Sequence, residues 1–159
     1  MKILGIDPGL NVTGYGLIQI AEAPVPQLFV YGCVRTKTRQ SLAERLFKIH
    51  SEIKELISEQ APDVLVMEDI FYAKNIKTAI TMGHVRGAVM VAAMDKGVPV
   101  VEYSPREIKL SVTGNGGASK EQVNFMVQRI LKIAEPITPA DASDALAAAI
   151  CHWHRTRFQ

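Results

Sequence analysis

The chain begins with three strand-like segments in a row and alternates between helix and strand patterns only after them. A continuous apolar run at 2–7 ends at the turn-forming pair Pro8-Gly9, and β-forming residues fill 12–20 and 28–36. Short connections join these segments, so neighbouring strands are predicted to run antiparallel. This beginning restricts the chain to folds in which the sheet opens as an antiparallel meander.

Helical periodicity dominates the rest of the chain, interrupted by two short apolar runs. Ser-x-x-Glu and Ser-x-x-Gln capping boxes mark two of the helix starts. The predicted helices span 42–59, 75–95, 119–132 and 141 to about 155, and the predicted strands between them span 64–68 and 98–103. Strands separated by helices run parallel in one sheet, so the prediction is a single α/β domain over residues 1–159. Its five-stranded mixed sheet combines three leading antiparallel strands with parallel strands, and helices cover both faces.

A repeat of small residues marks the predicted helix at 75–95. Ala79, Gly83 and Gly87 recur every four residues, and such a stripe allows another backbone to approach closely. The approaching backbone belongs either to the sheet or to a second copy of the chain. Packing on the sheet is the preferred interpretation.

The composition is ordinary for a globular protein and excludes several classes. With 159 residues, 48% of them apolar and 21% charged, the chain can bury a complete core. No apolar run reaches the roughly 18 residues of a membrane span and no targeting pattern is present, so a cytoplasmic protein without a membrane partner is expected. Cys33 and Cys151 are too few for a disulfide framework and are interpreted as buried free thiols. A zinc site at Cys151, His152 and His154 is rejected, because neighbouring positions on one helix cannot surround an ion.

Four carboxylates lie at the ends of apolar elements and indicate a shared site. Asp7 and Glu68 end two predicted strands, and Asp141 and Asp144 lie three residues apart on one face of the last helix. Each close pair of such charges repels by about 4 kcal/mol at ~4 Å with an effective dielectric of about 20, so cations are needed. Capping of the helix N-terminus is the alternative interpretation of Asp141 and Asp144.

Asp69 competes with Glu68 for a place in this site. Consecutive strand residues face opposite sides of a sheet, so only one of the two side chains can point at Asp7. Glu68 is the predicted member of the site.

The net charge of +2 hides a basic central region. Residues 71–132 hold nine Lys or Arg and four Asp or Glu, which indicates either a solvated helix surface or a nucleic-acid contact. Lys109 and Lys120 flank the Gly-rich segment 113–119, whose backbone N–H groups are predicted to approach phosphates. This segment is not a nucleotide-binding P-loop, because the Gly-Lys-Ser/Thr ending is missing.

Two adjacent aromatic residues precede part of this basic region. Phe71 and Tyr72 are followed by Lys74 and Lys77. An exposed aromatic beside lysines suits stacking on an unpaired base, which is worth about 1–3 kcal/mol. A core aromatic is the alternative interpretation.

Taken in order, the motifs of this chain resemble one family over almost its whole length. They are ILGIDPG at 3–9, VTGYG at 12–16, MEDIFYAKN at 67–75, the Lys-to-Lys segment 109–120 and DASDALAAAI at 141–150. The first motif alone also opens sugar kinases and actin-like ATPases. Together the five resemble the RuvC family of crossover (Holliday) junction endodeoxyribonucleases.

The resemblance implies a ribonuclease-H-like fold, a homodimer and Mg²⁺-dependent symmetric cleavage of two strands of a four-way DNA junction. It also implies the RuvA and RuvB branch-migration complex as a partner. The family's catalytic acids fall on Asp7, Glu68, Asp141 and Asp144. Phe71 falls on the aromatic that enters the opened junction. The two basic residues near the cut backbone fall on Lys109 and Lys120, of which Lys120 is assigned to catalysis.

Phosphodiester hydrolysis by this set would use two Mg²⁺ ions about 4 Å apart, for which Mn²⁺ can substitute. Asp7 is predicted to bridge both ions, Glu68 to hold one, and Asp141 with Asp144 to hold the other. A junction-binding protein without activity is one alternative function. An ATPase or sugar kinase is less favoured, since those proteins close two such domains on a nucleotide and 159 residues supply one.

Overall fold

The computed structural model describes residues 1–21, 25–69 and 75–157. The strands are β1 (Lys2–Asp7), β2 (Val12–Gln19), β3 (Gln27–Arg35), β4 (Val64–Glu68) and β5 (Val100–Tyr103). The helices are α1 (Leu42–Gln60), α2 (Ile76–Met94), α3 (Pro105–Thr113), α4 (Lys120–Leu131) and α5 (Ala140–Thr156).

The five strands form one sheet in the order β3-β2-β1-β4-β5. Neighbours within the first three strands are antiparallel, whereas β4 is parallel to both β1 and β5. The predicted mixed sheet with a leading antiparallel meander is confirmed. Because β1 and β4 are adjacent and parallel, their carboxyl ends lie side by side.

Helices cover both faces of the sheet, as predicted. Leu4, Ile6 and Leu65 point to the face on which α1 and α2 pack, and Ile3 and Val66 point to the face covered by α3, α4 and α5. This division follows the alternation of side chains along each strand. Within the described residues, none of the helices is long and apolar enough to cross a bilayer.

The sequence prediction missed α3. Its start carries a complete capping box, in which Ser104 and Glu107 bond each other's backbone N–H groups, and Pro105 fills the first helical position. The helix ends at Gly114, whose left-handed backbone has φ 77°. This helix forms one wall of the pocket that contains Asp7.

Two further predictions need correction. Gly83 and Gly87 do not pack on the sheet, because no atom of the described residues outside α2 lies within 4 Å of a Cβ built at either glycine. Instead, α2 packs inward through Val85 and Val89, which are fully buried. The thiols are free, and of the two only Cys151 is buried, whereas the Cys33 residue is partly exposed.

Candidate active site

Glycines on the sheet let α5 lie directly on β1 and β2. A Cβ atom built at Gly5 would be 1.9 Å from the carbonyl oxygen of Ala145, and one built at Gly14 would be 2.1 Å from that of Asp141. These distances leave no room for a side chain, so the strand backbones contact the helix. Since Gly14 pairs with Asp7 across β2 and β1, this contact sets the first turn of α5 beside the end of β1.

Three of the four predicted acids line one pocket. Asp7, Glu68 and Asp144 surround a cavity of about 200 Å³ at the carboxyl ends of β1 and β4, together with Lys109 and Lys120. Its apolar lining comes from Pro105, Ile108, Val123 and Ala147. The pocket therefore combines acidic and basic side chains in an apolar setting.

Asp141 lies on the first turn of α5, within electrostatic reach of Asp7 but outside the pocket lining. No side chain caps the start of α5 by a hydrogen bond. The alternative interpretation of Asp141 and Asp144 as capping residues therefore fails for a side-chain hydrogen bond, while Asp141 keeps the favourable position of an acid in the first turn of the helix.

The carboxylates of the pocket outnumber its lysines. Burial raises the pKa of Asp7 from its ordinary 3.8 to about 7, and the charges of Asp144, Glu68 and Asp141 add to this, while Lys120 opposes it. Burial likewise raises the pKa of Glu68, with a further contribution from Asp144. Asp7 would therefore hold a proton near neutral pH unless a metal cation neutralised the pocket in its place.

Lys120 pairs directly with one of the acids. Its Nζ donates a hydrogen bond to Oδ2 of Asp144 at 2.9 Å, and this bond is the largest cause of the raised pKa of Lys120. The lysine is the first residue of α4, whose start is fixed by the Ser119 and Gln122 capping box. Its side chain is 78% exposed, so it borders the pocket from the solvent side.

Asp69 is turned away from the pocket and paired with Arg86. Nη2 of Arg86 lies 3.1 Å from Oδ1 of Asp69 and also contacts the carboxylate of Glu102. Nη1 of the same arginine donates to the backbone oxygen of Glu68 at 2.6 Å. Arg86 therefore fixes the end of β4, a role that sequence reasoning missed because nothing local links residue 86 to residue 68.

The donor set of the pocket fits a hard divalent cation. As the side chains stand, no three histidine, cysteine, aspartate or glutamate residues in the described ranges lie together as ligands that could hold one metal ion. The site nevertheless offers only carboxylate oxygens, which Mg²⁺ and related ions prefer. Burial and the neighbouring carboxylates Asp144, Glu68 and Asp141 all disfavour ionised Asp7, and a bound cation would offset this cost.

The predicted nucleic-acid contacts fall in several places. Lys109 and Lys120 border the acids, and Lys77 is exposed in the first turn of α2. Phe71, Tyr72 and Lys74 lie outside the described residues. Of the remaining basic residues, Arg86 pairs with acids and Lys96 follows the far end of α2.

The Gly-rich segment 113–119 does not present a row of free N–H groups, contrary to the prediction. Its backbone donors are used mainly within the segment and its neighbouring helices; the donors with such partners are Gly114, Asn115, Gly117, Ala118 and Ser119. Contact with a phosphate near this segment therefore falls to the side chains of the two flanking lysines.

The residues of the rejected zinc site are engaged in packing. Nδ1 of His152 lies 2.9 Å from the hydroxyl oxygen of Tyr103, and Nδ1 of His154 lies 2.9 Å from the backbone oxygen of Ser111. Burial lowers the pKa of both histidines. They attach α5 to β5 and α3.

Comparison with known proteins gives matches to the RuvC family. Residues 3–152 match the family model for crossover junction endodeoxyribonuclease RuvC. The RuvC of Syntrophomonas wolfei subsp. wolfei is 45% identical over 158 residues, which are 99% of this chain and 91% of that protein. The RuvC of Moorella thermoacetica is 45% identical over 152 residues, which are 96% of this chain and 90% of that protein.

A solved structure gives the same result. Thermus thermophilus RuvC in complex with Holliday junction substrate superposes with a TM-score of 0.94 at 34% identity, over 99% of this chain and 96% of that one. The fold is therefore that of a family whose members are named for cutting crossover junctions. On the sequence match, the structural match and the acidic pocket together, this chain belongs to the RuvC family of crossover junction endodeoxyribonucleases.

Proposed function

We propose that the protein resolves four-way DNA junctions by symmetric hydrolysis of phosphodiesters in two strands during recombination and repair. The observation that carries the proposal is the gathering of Asp7, Glu68 and Asp144 beside Lys120 in one pocket of a chain with RuvC ancestry. An inactive junction-binding protein is not favoured, because every predicted catalytic acid is present. Residues 1–159 are proposed to act as one nuclease domain in the cytoplasm.

Mg²⁺ is the proposed cofactor, with two ions per site and Mn²⁺ as a substitute. Asp7 and Glu68 would hold one ion, and Asp7 with Asp141 and Asp144 the other. Bound cations would activate a water molecule and stabilise the leaving 3′-oxygen. Carboxylates must be ionised to act as ligands, so cation binding is coupled to release of the proton that Asp7 holds near neutral pH.

The residues of the pocket divide the remaining work between them. Asp141 and Asp144 share the first turns of α5, where they can orient a water molecule for in-line attack on phosphorus. Lys120 is held by Asp144 and can exchange this partner for a phosphate oxygen at the pocket's rim. The apolar side chains of Ile108 and Val123 limit bulk water around the acids, which strengthens each charge interaction.

Glu68 and Asp69 give a matched test of this proposal. Glu68→Gln is expected to reduce Mg²⁺-dependent nicking of a synthetic four-way junction on the order of 10²–10³-fold, because the pocket loses a charged ligand. Asp69→Asn removes the same charge one residue away, from a side chain that faces Arg86. This second variant is expected to nick within a few-fold of the wild-type rate.

The measurement is the initial rate of nicking with Mg²⁺, with Mn²⁺ and with a chelator, alongside binding of the same junction by gel shift. Equal rates for Glu68→Gln and wild type would overturn the assignment of the pocket. Binding without nicking by the wild-type protein under all these conditions would favour the inactive junction-binding alternative.

The proposed partner of α2 is a second copy of the chain. Its outward face carries four exposed apolar residues and two glycines: Ile76, Ile80, Gly83, Gly87, Val91 and Met94. At 3.6 residues per turn these positions fall within an arc of about 80°. A continuous apolar stripe of this kind suits a helix-to-helix contact, and a two-fold dimer would present two pockets for symmetric cuts.

Ile80→Asp is expected to shift the protein from dimer to monomer, because it places a charge in the middle of the stripe. Phe125→Asp is the control, since Phe125 is similarly exposed (55% against 56%) but lies on α4, across the sheet. Sedimentation velocity at equal concentrations measures the outcome. Dimers of equal strength in the two variants would exclude α2 as the interface.

The RuvA and RuvB complex is proposed as a further partner on the basis of the family alone.

A further inference from the structure

The connection between β3 and α1 carries a second group of basic residues. Arg35, Lys37 and Arg39 are exposed, and Arg45 follows in the first turns of α1, where it is buried. Averaging charge over the first 70 residues conceals this group, since acids elsewhere in that region outnumber its cations. The segment 35–45 contains one acid, Glu44.

None of these four cations is paired with a carboxylate among the described residues. The ion pairs in these parts of the chain use other cations: Lys48, His50, Lys54, Arg86, Lys120 and Arg155. The carboxylate of Glu44 accepts a hydrogen bond from the backbone N–H of Ser41 in the capping box. The three exposed members, Arg35, Lys37 and Arg39, therefore present uncompensated positive charge to solvent.

Arg45 ties this connection to the turn that follows Asp7. Its Nε donates to Oγ1 of Thr36 at 2.8 Å, and its Nη2 donates to the side-chain oxygen of Asn11. Thr36 in turn donates from Oγ1 to the backbone oxygen of Leu10 at 2.5 Å. The backbone of the connection is thus anchored at Thr36 beside the turn that follows Asp7.

The sheet register gives that position. Asp7 pairs with Gly14, and Gly14 pairs with Cys33, two residues before Arg35. Paired residues share a face, so Arg35 points to the same face of the sheet as Asp7. Two strand spacings of about 4.8 Å and two residue rises of about 3.4 Å separate the two Cα atoms by roughly 12 Å.

We infer that the β3–α1 connection binds the sugar-phosphate backbone of the junction arm that is being cut, through Arg35, Lys37 and Arg39. A separation of about 12 Å is at most three or four steps of a duplex at ~3.4 Å of axial rise per step. The contacted phosphates therefore lie within about four nucleotides of the scissile one. This inference rests on the proposed nuclease function and adds a phosphate-binding surface to it.

The first experiment compares two double variants that remove equal charge. Lys37→Gln with Arg39→Gln is expected to weaken junction binding at least ten-fold at about 0.15 M salt and to make the slope of log K against log[salt] shallower by about 2. Lys96→Gln with Lys132→Gln is the control, because these lysines follow the ends of α2 and α4. Binding is measured by fluorescence anisotropy in a chelator at several salt concentrations.

The second experiment locates the contact. Single methylphosphonate linkages, which are uncharged, are placed one to six nucleotides from the cleavage site. Wild type is expected to lose affinity most at one of the first four linkages. The Lys37→Gln, Arg39→Gln variant is expected to be insensitive there, since the effects of removing the two partners of one contact are not additive.

Equal salt slopes for the two double variants, or equal sensitivity of wild type and variant at every linkage, would overturn the inference. If the control variant still nicks the junction in that case, the proposed nuclease function stands and only the phosphate contact is refuted. Failure of the wild-type protein to bind or nick the junction would instead overturn the nuclease function itself.

Discussion

Asp7→Asn is expected to abolish nicking of a four-way junction and, in the same protein, to raise stability when divalent cations are absent. The loss of nicking, on the order of 10³-fold, follows from removal of the most buried carboxylate of the pocket. Junction binding is expected to remain, because the proposed phosphate contacts lie on other residues. The gain in stability has a separate electrostatic cause.

The sign of that effect follows from the raised pKa of Asp7. Between its ordinary value of 3.8 and its folded value of about 7, the folded protein binds a proton that the unfolded chain has released. Stability therefore falls as pH rises through this window and is constant above it. At about 1.4 kcal/mol per pKa unit, ionised Asp7 costs about 4 kcal/mol at pH 8.

Chemical denaturation of both proteins at pH 4 and pH 8 in a chelator provides the measurement. Wild type is expected to lose more stability between the two pH values than Asp7→Asn, by up to about 4 kcal/mol. Added Mg²⁺ is expected to stabilise wild type more than the variant, because its proposed site exists only in the folded pocket. Parallel pH profiles of the two proteins would contradict the interpretation that Asp7 carries a buried, uncompensated charge.

Gly5→Ala is expected to be among the most destabilising single methyl additions in the sheet. The added Cβ would lie 1.9 Å from the backbone oxygen of Ala145, and backbone cannot move aside by rotamer change. Relief requires α5 to shift, at a cost in the upper part of the usual ~1–3 kcal/mol for overpacking or above it. Since α5 carries Asp141 and Asp144, nicking is expected to fall even at temperatures where the variant remains folded.

Gly117→Ala is the control, since its Cβ would have as its nearest contact the side-chain oxygen of Asn115, at 3.5 Å. Thermal unfolding is expected to show a decrease in Tm of roughly 6–12 °C for Gly5→Ala, from about 2–4 °C per kcal/mol in a chain of this size. The control is expected to change little. Equal Tm values for the two variants would mean that the close contact of β1 with α5 is not needed for packing.

Local sequence patterns predicted the sheet and most of the helices. Strand patterns at the start of the chain and the capping box of Ser41 with Glu44 act over a few residues, so the meander and α1 could be predicted. The missed helix α3 also carried such a signal in Ser104, Pro105 and Glu107, but its nine residues are too few for a clear apolar repeat.

Contacts between residues that are distant in sequence could not be predicted from such local patterns. The stripe of Gly83 and Gly87 satisfied the rule for close packing, yet the pattern does not state which neighbour approaches, and α2 turned the stripe to solvent. The predicted acids could be chosen because each ends an apolar element. The link from Arg86 to the end of β4 and the anchoring of Asn11 by Arg45 join residues distant in sequence, and no local pattern marks them.

The contact of α5 with β1 and β2 also determines when, during synthesis, the active site can be complete. A nascent chain that stops before residue 140 already contains all five described strands, with Asp7 and Glu68 at the carboxyl ends of β1 and β4. It lacks the aspartates that only α5 delivers, and its exposed glycines have no helix above them. The set of four acids is therefore incomplete in the nascent chain until α5 has been synthesised.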